Sequence, residues 1–320
     1  MIKTSSTLRR VLCTASLALP FASNAEAAPA APAAKGSVGV APSAEPPEPF
    51  EEEERRLEWR YRRADIWEYS ATALVAGLYA AVEFGVPVKE EPGWTGGILF
   101  DDAARDTFRM KSRSGRIRAS DWSDATTLAN QVQVVLDGVL TPILSDDWNF
   151  DTAWQVSFIN IQAMTLTGLF ARAGHRFIGR QRPSVPECDK DPNYIEYCPV
   201  ARNSGFPGGH TAAAFAAASL VCAHHGAFDW YGSELADSGT CVLGLGVATA
   251  SSFLRLSTDR HYLSDNIVGM LLGGGIGYGL PQLLHYSHPL SIQSDDGLAR
   301  GGLVPVVSDS TLGLEGIGYF

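Results

Sequence analysis

The chain has 320 residues, 45% of them hydrophobic, and a formal net charge of −10, which removal of residues 1–27 (Lys3, Arg9 and Arg10 against Glu26) takes to −12. That apolar content suffices for one large core or two small ones and excludes a disordered chain. The acidic balance argues against nucleic acid as a partner, so any anionic ligand must be drawn by a local cluster of cations.

The first stretch, MIKTSSTLRRVLCTASLALPFASNAEAAPA, has a basic start, an apolar run through Leu19 and the small-residue pattern Ala25-Glu26-Ala27. It reads as a cleavable secretory signal over 1–27. The residues around Arg9-Arg10 fit a twin-arginine route loosely, and Cys13 lacks the small-residue context of a lipid-attachment site, so general export to a periplasmic or secreted location is the expectation. Residues 28–56 form an Ala/Pro-rich linker closed by the charged edge EEEERR.

A helical domain is expected over 57–287, with a different tail over 288–320. Apolar segments at 66–86, 125–144, 153–174, 211–229, 240–256 and 264–284 are rich in alanine, leucine and glycine, which favours helices over strands. Several approach the length needed to cross a membrane. Asn130, Gln131, Gln133 and Asp137 in one segment, Gln155, Asn160 and Gln162 in another, and His224 and His225 in a third suit a soluble bundle better. The exception is YSATALVAGLYAAVEFGVPV, where Glu83 is the single charge and membrane contact is compatible with the composition. The tail alternates and turns at Ser308-Asp309-Ser310, which predicts a short β-hairpin.

Four cysteines follow the signal segment. Cys188 and Cys198 bracket the polar loop CDKDPNYIEYC and are the favoured disulfide, whereas Cys222 and Cys241 lie in or near apolar segments and fit either a second bridge or buried thiols. Their spacing is not that of a zinc site.

Three stretches carry chemistry. HRFIGRQRP, 175–183, concentrates Arg176, Arg180 and Arg182 at a helix end stopped by Pro183; a cationic helix terminus favoured by the dipole is the plain alternative. GFPGGHTAAAF feeds His210 into the first turn of an alanine-rich helix through a glycine turn that lets an anion approach backbone N–H groups. RLSTDRHYLSDN sets His261 four residues before Asp265, which on a helix would share one face and let the carboxylate take the Nδ1 proton. In isolation a helix start with an ordinary surface pair is the better reading, and only companions elsewhere in the chain overturn it.

In this order the three resemble the motifs of the phosphatidic acid phosphatase type 2 superfamily, which includes bacterial acid phosphatases, lipid phosphatases and vanadium haloperoxidases. The family pattern K-x6-R-P stands here as His175, Arg182 and Pro183. P-S-G-H stands as Pro207, Gly208, Gly209 and His210, and S-R-x5-H-x3-D as Leu254, Arg255, His261 and Asp265. The resemblance covers about residues 150–285 and implies an all-α helical bundle, to which the hairpin-like tail is an appendage. It implies that His261 attacks phosphorus, Asp265 orients it and His210 protonates the leaving oxygen. Arg182, Arg255, His175, Gly208 and Gly209 would hold the phosphate, and no metal is required. Arg180, Arg202 and Arg260 would add local attraction.

The expected function is an exported phosphatase that hydrolyses phosphomonoesters or lipid phosphates and diphosphates through a phosphohistidine. The alternatives are a vanadium-dependent haloperoxidase, with vanadate as cofactor in the phosphate pocket, and a non-catalytic phosphate or lipid-headgroup binding protein. The substrate is a phosphorylated small molecule or lipid, with membrane-surface contact compatible with either. Where the family has lysine this chain has His175, which would join the clamp chiefly when protonated and so set an acidic optimum. Gly208 and Leu254 replace two serines.

Overall fold

In a computed structural model the described residues are 57–287, except 147, 197 and 199–201, and the backbone of 300–308 and 311–319. The signal-like segment and the linker lie outside the described residues. The helices are α1 (Ile66–Gly85), α2 (Asp101–Phe108), α3 (Arg113–Val135), α4 (Thr141–Ser145), α5 (Phe150–Ala173), α6 (Val185–Lys190), α7 (Gly209–Ala227), α8 (Glu234–Ser257) and α9 (Leu263–Pro281). Single π-helical turns at Leu136–Leu140, Gly174–Ile178 and Gln282–Tyr286 carry α3 into α4 and extend α5 and α9. In the tail, β1 (Arg300–Ser308) pairs antiparallel with β2 (Thr311–Tyr319), from Ser308 opposite Thr311 to Arg300 opposite Tyr319.

Local chemistry starts the long helices. The side chains of Asp65, Ser112 and Asn149 accept from Glu68 N, Gly115 N and Thr152 N, satisfying first-turn donors of α1, α3 and α5. The central element is α7, whose run of alanines lets neighbours approach on several sides; it packs against α9, α8, α3 and α5, while α1 packs on α5. Helix α9 meets α7 through Gly269, Gly273 and Gly277. A Cβ on these would fall 2.5, 2.0 and 2.3 Å from the carbonyl oxygens of Gly208, Ala212 and Ala216. Only hydrogen fits between the two backbones.

The bundle has two distinct ends. At the C-terminal end of α7, Trp59, Tyr61, Phe228, Trp230 and Tyr286 form an aromatic cluster, and the Tyr61 hydroxyl donates to Ala227 O at 2.6 Å. The N-terminal end of α7, about 28 Å away for 19 residues at 1.5 Å each, meets the loops around 179–208 and 258–262. That is where the motif residues lie.

Several polar residues of α3, of the turn after it and of α5 point inward. Asn130, Asp137, Gln155 and Asn160 are all buried, and Asn160 donates to Val134 O and accepts from His224. The outward faces are apolar instead: Trp67 is 80% and Phe84 86% exposed, and Leu128, Val132, Val135, Leu136, Leu144, Ile161, Val242, Leu243 and Leu271 are also exposed. Between the charges at their ends, 69–82 of α1, 125–136 of α3, 152–171 of α5, 238–254 of α8 and 266–284 of α9 carry no Asp, Glu, Lys or Arg. Among the described residues, Glu234–Ser257 and Leu263–Tyr286 are long and apolar enough to cross a membrane by length and composition. The polar density that favoured a soluble bundle on sequence is therefore turned to the inside, and an outward surface this apolar is what a water-soluble monomer avoids.

Candidate active site

Both disulfides are formed. Cys188 joins Cys198 with Cα atoms 5.4 Å apart, and Cys222 joins Cys241, tying α7 to α8. The 188–198 loop matters to the site because its Tyr194 hydroxyl donates to Asp259 Oδ2 at 3.0 Å. Asp259 is fully buried in a left-handed conformation (φ 62°) and also accepts two bonds from Arg105, at 2.6 and 2.7 Å. The loop 258–262 is thus fixed from two elements, the 188–198 loop and α2, and it carries His261.

His261 lies in that loop, ahead of α9, so its spacing to Asp265 does not describe one helical face. Its Nδ1 lies 2.7 Å from the Gly205 carbonyl and 3.9 Å from Asp265 Oδ2. A carbonyl can only accept, so Nδ1 carries the proton and Nε2 keeps its lone pair. The expected partner, Asp265, is occupied elsewhere. It accepts from the start of its own helix at Tyr262 N (2.8 Å) and from Arg180 at 2.6 Å, and so fixes the residue that follows His261 without taking its proton. Burial and the neighbouring Arg182 and Arg255 guanidiniums hold the His261 pKa well below the usual histidine value, so the ring is neutral.

Arg180 does not supply free positive charge. It is fully buried between Asp101 and Asp265, sandwiched by the Trp94 and Tyr262 rings at 3.9 and 4.3 Å. Arg202 pairs with Asp189 at 2.7 Å. The expected attraction therefore narrows to the arginines that face the cavity or crowd it. Arg182 reaches Ser204 Oγ at 3.1 Å, and Arg255 is buried and pairs with Asp124. The Nε atoms of Arg182 and Arg255 are buried without a hydrogen-bond partner among the described residues. Burial and the nearby Arg260 and Arg255 charges pull Arg182 down to about 9. Like charges held together in this way are relieved by an anion.

His210 stands in the first turn of α7, its Nε2 3.2 Å from Asp124 Oδ1. Asp124 thus binds both the histidine and Arg255. It sits on α3, far upstream of the three motifs, where nothing in its own sequence surroundings marks it. Gly208 departs from expectation, since its N–H donates to Asp265 O at 2.9 Å and is not available to a ligand. The missing serine also has a reason: a Cβ at 208 would fall 2.7 Å from Asn266 Oδ1 and 3.1 Å from Asp265 O. Gly209 lines the cavity.

His175 also lines it, but not as a cation. Its Nε2 donates to Pro207 O at 2.8 Å, and burial lowers its pKa to about 3. Arg172, one turn earlier on α5, borders the cavity as well and pairs with Glu83 at 3.3 Å. Arg176 turns away to Glu83. One cavity of about 590 Å³ collects His175, Arg182, Ser204, Gly209, His210, His261 and Asp124.

A helical bundle that brings three histidines, Arg182 and a helix N-terminus to one cavity has the donors that suit a tetrahedral oxyanion beside a neutral imidazole. Residues 155–289 match the family model of the PAP2 superfamily, so that stretch of the chain is similar to that superfamily. Over 125 residues, 38% of this chain, the sequence is 32% identical to a protein named lipid A 1-phosphatase from Porphyromonas gingivalis. The matched stretch covers 23% of that relative's length, so the chain spans under a quarter of it. No solved structure gives a significant match.

Proposed function

We propose that the protein is a phosphatase acting on lipid phosphates, working through a phosphohistidine at His261 and seated in a lipid bilayer outside the cytoplasm. The observation that carries the chemistry is His261 Nε2, freed by the Nδ1 bond to Gly205 and lining the same cavity as Arg182 and His210. Nε2 attacks phosphorus while the bond from phosphorus to the ester oxygen breaks. His210, held at Nε2 by Asp124, delivers a proton from Nδ1 to the departing alkoxide. Arg182, Arg255 and first-turn N–H groups of α7 balance the equatorial oxygens. Water, deprotonated by His210, then attacks the phosphohistidine, releasing phosphate and neutral His261. No step calls on a metal.

The outward apolar faces of the helices support the bilayer, and two disulfides support an oxidising compartment. The lipid phosphate named for the relative supports the substrate class. The deciding experiment is release of inorganic phosphate from a lipid phosphate by the detergent-solubilised protein, compared with His261→Ala. The variant should lose activity by several orders of magnitude. Phosphate binding without turnover in the wild-type protein would select the non-catalytic binding reading.

A further inference from the structure

The cavity extends well past the phosphoryl end. From His175 it follows one stripe of α5 back through Gly168 to Met164, a rise of about 16 Å at 1.5 Å per residue. Across from that stripe stands Leu128 of α3, and Tyr79 of α1 closes one wall with its ring against Gly168, where a Cβ would come within 3.0 Å. A phosphate group needs none of this length, and a short soluble ester would leave most of it empty.

Within that stretch Thr167 borders the cavity, is 2% exposed, and has a hydroxyl without a hydrogen-bond partner among the described residues. A helical threonine ordinarily returns its hydroxyl to a carbonyl one turn back; this one does not. Leu128 is 58% exposed, so the wall it forms reaches the outer surface of the bundle. Leu128, Met164, Ala171 and Ala213 line this length together with Thr127, Gln131 and Thr165, and apolar walls interrupted by polar groups, among them the unsatisfied Thr167 hydroxyl, suit a hydrocarbon chain that carries a polar group.

We infer that this length is a chain-binding groove: it takes the acyl chain of the substrate between α3 and α5, and the Thr167 hydroxyl donates to an ester or amide carbonyl on that chain. This rests on the lipid-phosphate reading above. Binding energy collected along the groove would be spent at the phosphoryl end, so chain length should act on kcat/KM.

The test uses the full-length protein in one detergent with butyl phosphate, a palmitoyl-glycerol phosphate and its hexadecyl ether analogue. Leu128→Trp, a change at an exposed position, should lower kcat/KM on both long substrates by about tenfold while butyl phosphate stays within about twofold. Thr167→Val should cost about fivefold on the ester and little on the ether, the size of one hydrogen bond. Equal losses on all three substrates, or none on the long ones, overturn the groove. Equal losses on ester and ether overturn the Thr167 contact. Affinities for non-hydrolysable butyl and hexadecyl phosphonates are measured alongside. A long-chain preference lost in Leu128→Trp supports the groove even if wild-type protein releases no phosphate, an outcome that would count against the phosphatase reading alone.

Discussion

Asp124 holds His210 and Arg255 together, and the chemistry of both depends on its charge. Asp124→Asn keeps the shape and removes the charge. It should lower kcat by about 10- to 100-fold with a smaller change in KM, and move the alkaline limb of the kcat profile to lower pH as His210 loses its carboxylate. Gly208→Ser should lower activity and melting temperature, because its Cβ meets Asn266; adding Asn266→Ala should recover part of both, which thermal melts and phosphate release will read. His175, at about 3 in the folded chain against 6.5 as a free side chain, is neutral at working pH. The unfolded chain then binds more protons between those values, so His175 makes stability rise with pH across that window and fall on acidification. His175→Asn should flatten that acid limb in urea titrations and leave the shape of the rate profile above pH 5 unchanged, in place of the acidic optimum its histidine suggested. His261, His210 and Arg255 were legible as motif residues because their spacing is local. Asp124 was not, because the fold alone brings α3 to them, and the burial that lowers the His175 pKa is not written in a motif.

At the scale of helices, the glycine stripe of α9 sets how closely the centre of the bundle closes. Gly273→Ala places a methyl group 2.0 Å from Ala212 O, and neither backbone has a flexible side chain to yield. The loss should reach at least the ~1–3 kcal/mol usual for overpacking, seen as a lower melting temperature, whereas Gly275→Ala, where a Cβ meets nothing within 4 Å, should leave it unchanged or raised. Removing the Cys188–Cys198 bridge, which closes a loop of separation 10, should cost about 2–3 kcal/mol. It should also lower activity through Tyr194 and Asp259, and a Cys188→Ser/Cys198→Ser double variant assayed for melting and turnover measures both. The helices themselves could be read from runs of alanine, leucine and glycine. Helix α3 begins at Arg113, well before the expected 125, because its first turns are polar and its start is signalled by the Ser112 cap instead of an apolar run. Direction was harder to read. Composition counts the polar residues of α3 and α5 without saying that Asn130, Gln155 and Asn160 face inward.

Among the described residues, the middle of the bundle turns apolar side chains outward while several polar side chains of α3 and α5 face inward. Purified protein should therefore need detergent or lipid to stay dispersed, and its tryptophan emission should be quenched by brominated acyl chains, since Trp67 and Trp148 are exposed. Emission indifferent to those lipids, with full solubility in buffer, would remove the bilayer from the proposal. The cavity has one end among charged loops and the other between apolar helices, so on the proposed lipid-phosphatase reading the two products would leave into different phases. Phosphate would escape into three dimensions and be diluted at once; the dephosphorylated lipid would stay in two, beside the protein that released it. Inhibition by phosphate should accordingly follow its bulk molarity, while inhibition by the lipid alcohol should follow its mole fraction in the surface and ignore the volume of the tube. Diluting a vesicle suspension with buffer would relieve the first and leave the second untouched.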